Sequence, residues 1–370
     1  MLSSSLHLIV FFIGVLAVIL TIASAISTFV LPRSDRTLLN RLVFRSLRKL
    51  FDLLLHFSNT YERSDSIMAY YAPYGLMLLL PAWYLLLCLG YTAIYWSLGF
   101  GNLSDSFRLS GSSLFTLGFV ATPSSVGLDA LVFSEGMLGL LMVALLIAYL
   151  PTMYSAFSRR EQIVNMLVVR AGIPPSAVQM LLRFSRIHGL DKLNDYWRTW
   201  EAWFADLEET HTTLAALVFF RSPQPQISWI TAAGAVLDAA SLTRALIDLP
   251  ADPSADLCIR AGFLALRRIA NQFKLPNPQD PHFPVDSISI HRSEFDALVS
   301  ELEAAGLPLK SDREQAWLDF AGWRVNYDRS LIEICGLVMA PFAVWSSDRG
   351  FVRPPAGQAK APAPAADAAE

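Results

Sequence analysis

The chain has 370 residues, of which 54% are hydrophobic and 16% are charged, and its mean hydropathy is +0.41. Soluble proteins carry roughly 25% charged residues, so this composition indicates a membrane protein. A net charge of −3 and a pI near 6.1 offer no overall basicity for holding a phosphate backbone, which argues against nucleic acid as a partner.

Three apolar stretches are long enough to cross a bilayer as helices, for which about 20 residues are needed. They cover residues 6–31, 70–98 and 131–157. The first, within an N-terminal region 1–31, contains a sequence that resembles a signal-peptidase site. However, no basic residue precedes it and the apolar run continues past that site, so we expect an uncleaved transmembrane helix.

Basic residues predict the orientation of these spans. Six of them lie within residues 32–50, just after the first span, whereas residues 99–130 contain only Arg108. Because positive charge is retained on the cytoplasmic side, the connector 32–69 is predicted to be cytoplasmic and the N-terminus to be outside. These six basic residues are Arg33, Arg36, Arg41, Arg45, Arg48 and Lys49.

Residues 39–57 of the connector are basic and amphipathic with a helical period. Such a helix lies along a membrane surface or packs on protein, and the sequence pattern is the same in both cases. Its apolar face consists of Phe44, Leu47, Leu50, Phe51 and Leu54.

The connection between the second and third spans begins with a predicted short helix. Ser104 or Asp105 can cap it, and residues 107–115 give it an apolar body. Thr116, Leu117, Gly118 and Phe119 follow and are expected to turn back as an extended segment. Because non-helical backbone at membrane depth must be buried in protein or face a water-filled path, this order predicts a re-entrant pore loop.

Residues 70–157 thus resemble the potassium-channel superfamily in the order outer helix, pore helix, Thr-Leu-Gly-Phe and glycine-bearing inner helix. The resemblance implies that the backbone carbonyls of Thr116, Leu117, Gly118 and Phe119 replace the hydration shell of a monovalent cation, K⁺ or Na⁺. Val120 departs from the family pattern, which has a second glycine there, so ion selectivity stays open. Since one chain has one such loop, a homotetramer with cyclic symmetry in the plasma (inner) membrane is implied.

Four further residues of this region are candidates for pore functions. Glu135 lies at the predicted pore entrance, where it attracts cations or holds the pore helix by a hydrogen bond. Gly136, Gly139 and Pro151 are candidate gating hinges of the inner helix. In the alternative interpretation, the glycines allow close helix packing and the proline ends the span.

Residues 158–352 have the pattern of a soluble, cytoplasmic helical domain. Helices are predicted at residues 163–170, 176–188, 192–217, 227–246 and 255–273, with one or two more in 286–345. A stripe of aromatic residues within 197–204 is predicted to be a packing face. The Ala- and Pro-rich tail 353–370 lacks the apolar residues that would order it.

The sequence offers little for enzyme chemistry. Glu208 and His211, three residues apart, are the best candidates for a metal pair, but no second pair completes a ligand set. No catalytic, nucleotide-binding or cofactor motif is present, and the three cysteines are expected to be buried thiols. We therefore expect a cation channel subunit without cofactor. The alternative is a non-conducting membrane anchor whose cytoplasmic helices recruit an unknown partner or regulator.

Overall fold

The computed structural model of the chain describes residues 2–29, 38–123, 125–250 and 252–349. Its described part is all-α, and its β-structure is one isolated bridge between Ile247 and Leu309. Three helical stretches, Ser5–Phe29, Tyr61–Ser97 and Val126–Ala171, are long and apolar enough to cross a membrane. A helical C-terminal region follows. The predicted fold class is confirmed at this level, whereas the tail 353–370, Arg33 and Arg36 lie outside the described residues.

The chain divides into two compact units. The first comprises Met1–Leu50 and Tyr70–Phe157, and the second comprises Phe51–Ala69 and Ser158–Glu370. This division splits the predicted connector 32–69, because its last part belongs to the second unit.

The first unit contains the long apolar helices. They are α1 (Leu2–Phe29), the first part of α2 (Leu38–His56), α4 (Tyr71–Ser97), the short α5 (Leu103–Leu114) and most of α6 (Val126–Ala171). α4 packs along α1 and also against α5. Polar contacts fix the α1–α4 pair: the indole Nε1 of Trp83 donates to the Ser24 hydroxyl over 3.2 Å.

Helix α2 forms where the amphipathic pattern predicts it. Phe44 packs on Tyr71 and Gly75, the Tyr71 hydroxyl donates to the Phe44 carbonyl, and Leu47 is buried. Leu50 is exposed. This part of the apolar face therefore packs on protein, which was one of the two predicted uses.

Helix α6 is longer than the predicted third span. It continues through Pro151 and beyond residue 157 to Ala171, so residues 163–170 are its last turns and not a separate helix. The reason is local: the residues between 157 and 171 include no glycine or proline. The helix ends where Gly172 takes a positive φ of 78° and Pro174 follows. The helix therefore does not end at Pro151.

The second unit is built from α3 (Tyr61–Ala69), the end of α6 and seven further helices. These are α7 (Ala177–Arg186), α8 (Leu193–Thr213), α9 (Trp229–Leu246), α10 (Ser254–Gln272), α11 (Arg292–Ala304), α12 (Arg313–Arg324) and α13 (Asp328–Val338). Four of them match predicted helices within a few residues. Breaks at Pro- and Gly-containing segments explain this agreement, because such residues end helices whatever their neighbours.

Apolar and aromatic side chains form the core of the second unit. Helix α8 packs on α10, and α9 is buried on almost every side. The predicted aromatic stripe of α8 is a packing face, since Trp197, Trp200, Trp203 and Phe204 are all buried. Cys88 of the first unit and Cys258 and Cys335 of the second are buried free thiols, as predicted.

Candidate functional site

The candidate site lies in the first unit, at the end of the short helix α5. A capping box fixes where α5 begins: the Asn102 side chain accepts from the Asp105 N–H over 3.0 Å, and the Asp105 carboxylate accepts from the Asn102 N–H. The cap is therefore Asn102, whereas the sequence analysis proposed Ser104 or Asp105. An extended backbone and a side chain that reaches the N–H three residues on are what an N-cap requires.

The C-terminal end of α5 meets α6 at two glycines. A Cβ on Gly139 would lie 2.2 Å from the carbonyl oxygen of Leu114, and one on Gly136 would lie 3.4 Å from that of Ser113. The Tyr84 hydroxyl of α4 donates to the Gly139 carbonyl over 2.5 Å. Both glycines thus allow close approach of α5 to α6, as the packing interpretation of these residues requires.

The carboxylate of Glu135 is buried between three helices of the same chain. It accepts hydrogen bonds from the Ser110 hydroxyl of α5 and from the Tyr95 hydroxyl of α4, the latter over 2.8 Å. The Ser110 hydroxyl also lies 3.1 Å from the carbonyl oxygen of Cys88. Glu135 therefore holds the short helix by hydrogen bonds, which is one of its two predicted roles. Its side chain is 0% exposed. The three helices enclose this side chain in the single chain, and its position at a pore entrance stays a prediction.

The loop after α5 is organised around Ser112. The Ser112 carbonyl accepts from the N–H groups of Leu117 (2.8 Å) and Gly118 (3.3 Å). The Ser112 hydroxyl lies 3.0 Å from the N–H of Phe119 and 3.3 Å from that of Val120. Four successive peptide N–H groups are therefore directed at one residue of the helix.

Carbonyl oxygens point the other way in this loop. In a trans peptide, the N–H of one residue and the C=O of the residue before it are antiparallel. The carbonyls of residues 116–119 belong to the four peptides whose N–H groups face Ser112, so they point away from α5. Within the described part of the chain, no donor is hydrogen-bonded to these four oxygens.

The backbone angles of the loop explain how it turns so tightly. Gly118 has φ of 65° and Thr116 has φ of 55°, whereas Val120 does not take a positive φ. A left-handed conformation costs a residue with a Cβ roughly 1–2 kcal/mol. Val120, which replaces the second glycine of the family pattern, therefore carries no such strain, whereas Thr116 does. No extended strand forms, since residues 115–123 are turn and irregular backbone.

The proposed metal pair of the second unit does not form. Glu208 makes an ion pair with Arg268. His211 is buried, and its Nε2 accepts from Arg160 over 3.1 Å while its Nδ1 contacts Thr210. Burial, and then the charge of Arg160, hold the pKa of His211 well below its ordinary value of 6.5. Among the described residues, no group of three or more His, Cys, Asp or Glu side chains has a metal-binding arrangement.

A cavity of about 300 Å³ lies in the second unit between the start of α7, the middle of α9 and one side of α11. Two buried or half-buried carboxylates line it, and both are already paired: Asp238 with Arg324 over 2.5 Å, and Glu294 with Arg349. Burial raises the pKa of Asp238, and Arg324 opposes that shift. The cavity therefore presents these two paired carboxylates, the exposed Glu301 and mostly apolar walls.

The loop is predictable from the sequence, but the residues that hold it are not. Ser110 and Ser112 fall within the predicted helix body 107–115, and Tyr95 falls within the second span 70–98, so none of the three was singled out. The spacing of Ser110 and Ser113 places them on one helix face, which could have indicated polar contacts of α5. The partners come from α4 and α6, so only the tertiary structure identifies them.

Comparison with protein-family models, curated proteins and solved structures gives no significant match to this chain. Function is therefore inferred from the geometry of the molecule itself.

Proposed function

We propose that the chain is one subunit of a cation-conducting membrane pore that resembles a potassium channel. In this proposal α4 is the outer helix, α5 a re-entrant pore helix and α6 the inner helix. The backbone carbonyls of Thr116, Leu117, Gly118 and Phe119 line the narrowest passage. A single observation carries the proposal: four successive N–H groups are directed at Ser112, which turns these four carbonyls outward together.

Carbonyl dipoles that point away from the protein are suited to a dehydrating cation. Their oxygens carry partial negative charge and can replace the water molecules of the hydration shell. They have no donor among the described residues, so they are available for such contacts. An anion would meet only negative dipole ends there.

Electrostatics around the loop also favour a cation. The C-terminal end of α5, with the negative pole of its dipole, lies next to the loop. The sequence contains no Lys, Arg or His between Arg108 and Arg159, whereas Asp129 and Glu135 are acidic. The stretch between Arg108 and Arg159 therefore adds no positive side chain to this region.

Several copies are needed to surround an ion, because each chain supplies one loop. The side chains of Leu117 and Phe119 are 64% and 58% exposed on the single chain. In a cyclic homotetramer they would pack on neighbouring subunits, since exposed apolar side chains beside a loop favour burial against a partner. The membrane is the plasma membrane, with the N-terminus outside and the second unit in the cytoplasm, according to the distribution of basic residues.

The test is ion flux through the purified full-length chain in liposomes, under separate K⁺ and Na⁺ gradients. We expect flux of monovalent cations. The ratio of the K⁺ flux to the Na⁺ flux measures the selectivity of a loop that has Val120 in place of the second glycine. A strictly monomeric protein in detergent, or liposomes without flux, would contradict the proposal. Absence of flux would instead favour the membrane-anchored scaffold whose cytoplasmic helices recruit a partner.

A further inference from the structure

Residues 215–221, here called the linking segment, lie within the second unit between two helices that lead into the membrane region. The segment is the 3-10 turn Ala215–Phe219 followed by Phe220 and Arg221. One of the two helices is the end of α6. The other is α3, which ends two residues before α4 begins at Tyr71.

The α6 side of the linking segment is held by Arg160. This guanidinium is 1% exposed, and it donates to the carbonyls of Leu217 (3.0 Å) and Phe220 (2.7 Å). Glu161 supplies its counter-charge at 2.8 Å. The indole of Trp203 donates to the Arg160 carbonyl over 3.3 Å, so the backbone of α6 is fixed here as well as the side chain.

The α3 side is held by Arg221, the next residue after Phe220. Its guanidinium makes an ion pair with Asp65 of α3, and both side chains are about nine-tenths buried, with exposures of 12% and 11%. It also donates to the Val338 carbonyl over 2.7 Å. The Tyr61 hydroxyl contacts Asp65 as well, over 3.4 Å.

These two anchors are adjacent in the chain. Arg160 holds the carbonyl of residue 220, and residue 221 holds α3. Leu217 and Val218 are buried between them, with exposures of 0% and 1%. A closely packed segment of this kind transmits displacement, because neither buried arginine can leave its partners without leaving charge unpaired.

We propose that the linking segment couples the end of α6 to α3, so that a displacement of either helix is passed to the other. The regulatory role of this coupling rests on the proposed function. In a pore built from α4 and α6, the linking segment would connect the start of the outer helix to the end of the inner helix and thereby regulate the passage of ions. As a physical property of the second unit, it exists whether or not the pore conducts.

Hydrogen exchange of the full-length chain in detergent tests the coupling directly. Asp65→Asn removes the charge that Arg221 faces but keeps the shape of the side chain. We expect amide exchange to rise at least tenfold both in residues 215–221 and in residues 158–164 of α6. A rise confined to residues 61–69 would overturn the proposal.

Reciprocity supplies a second measurement, because coupling between two sites acts equally in both directions. Arg160→Lys keeps the positive charge but removes the planar guanidinium group, which donates to two carbonyls at once. It should raise exchange in residues 61–69 at least severalfold, and unchanged exchange there would contradict the coupling. If Asp65→Asn fails to fold, Arg221→Lys takes its place with the same expected result.

Glu303→Gln is the matched control. It removes the charge of an exposed ion pair with Arg313 in the same unit, away from the linking segment. Exchange in residues 61–69, 158–164 and 215–221 should not change. Flux measured on the same variants keeps the two proposals separate: coupled exchange without flux in the wild type contradicts the pore alone, whereas flux without coupled exchange contradicts the coupling alone.

Discussion

The Ser110 hydroxyl of α5 donates a hydrogen bond to the carboxylate of Glu135 on α6. The Tyr95 hydroxyl of α4 donates to the same carboxylate, so one buried side chain joins three helices. This arrangement fixes α5 at its middle, while Gly136 and Gly139 fix its C-terminal end. The loop that follows is consequently attached to a rigid helix.

Replacing Glu135 should destabilise the first unit. Glu135→Ala leaves the buried Tyr95 hydroxyl without its acceptor, which costs about 1–3 kcal/mol, whereas the Ser110 hydroxyl keeps the Cys88 carbonyl as an acceptor. We expect a clear fall in the thermal unfolding temperature in detergent. Asp129→Ala is the control, because Asp129 is a half-buried carboxylate of the same helix with a longer contact of 3.4 Å to Thr122. Equal stability of the two variants would refute the structural role of Glu135.

Ser112→Ala should disturb the loop more than the helix. The substitution removes the hydroxyl that faces the N–H groups of Phe119 and Val120, while the carbonyl that holds Leu117 and Gly118 remains. We expect cation flux to fall at least tenfold with an unfolding temperature close to that of the wild type. Ser104→Ala, on an exposed position of the same helix, should leave flux unchanged. Undiminished flux in Ser112→Ala would show that this hydroxyl does not position the carbonyls.

Gly118→Ala tests the backbone conformation of the loop without a steric clash. A Cβ at this position meets no atom of the described residues within 4 Å, so the effect within the chain arises from the φ of 65°. The cost is roughly 1–2 kcal/mol, which lowers the population of this conformation about 5- to 30-fold. We expect flux to fall at least fivefold. Gly111→Ala is the matched control, since it also meets no atom and lies inside α5, where alanine is favoured by up to about 1 kcal/mol.

Gly139→Ala distinguishes packing from hinge motion. The new methyl group would overlap the Leu114 carbonyl, and such overpacking costs about 1–3 kcal/mol. The packing interpretation therefore predicts a lower unfolding temperature for Gly139→Ala and a smaller change for Gly136→Ala. A hinge predicts altered gating with unchanged stability. Gly127→Ala on the same helix, which has open space around it, is expected to be neutral in both measurements.

The second unit should lose stability in acid through His211. Its pKa is lower in the folded chain than the ordinary value of 6.5, because burial and Arg160 disfavour the charged ring. As the pH falls, His211 is therefore protonated in the unfolded chain before it is protonated in the folded chain. Its contribution to the free energy of unfolding is complete above pH 6.5 and declines as the pH falls below that value. The decline is at most about 1.4 kcal/mol per pH unit. Urea unfolding between pH 7 and 5 measures it.

His211→Gln is the matching variant for this pH dependence. Its amide oxygen can still accept from Arg160, but the side chain does not titrate in this range. The variant should therefore be less sensitive to pH between 7 and 5 than the wild type. A wild type and a variant with equal slopes would assign the acid sensitivity to other groups.

Several features of the fold were predictable because they depend on local pattern alone. Apolar runs longer than a bilayer predict the three long helices, and residues such as Gly172 and Pro174 predict where α6 must stop. The continuous α6 was missed because a change in composition near residue 157 was interpreted as a helix boundary. A change of environment along a helix does not require a break in its hydrogen bonds.

The partners of the candidate site were not predictable in this way. Glu135 and Ser110 are 25 residues apart, and Arg221 and Asp65 are 156 apart. Nothing in the sequence near Ser112 indicates that its carbonyl and hydroxyl together face four N–H groups. Such contacts depend on how helices cross, which is set by shape and packing between distant segments.

The amino-acid sequence by itself determined that this chain is helical, where its apolar helices lie, and that a short capped helix precedes the loop that contains Gly118. These properties arise from hydrophobic periodicity and from backbone preferences, which act over a few residues. Only the tertiary structure decided that Glu135 is enclosed, that Thr116 and not Val120 takes the left-handed conformation, and that four carbonyls point away from Ser112. Those outcomes depend on hydrogen bonds and close contacts between helices, whose geometry is fixed only when the whole unit packs.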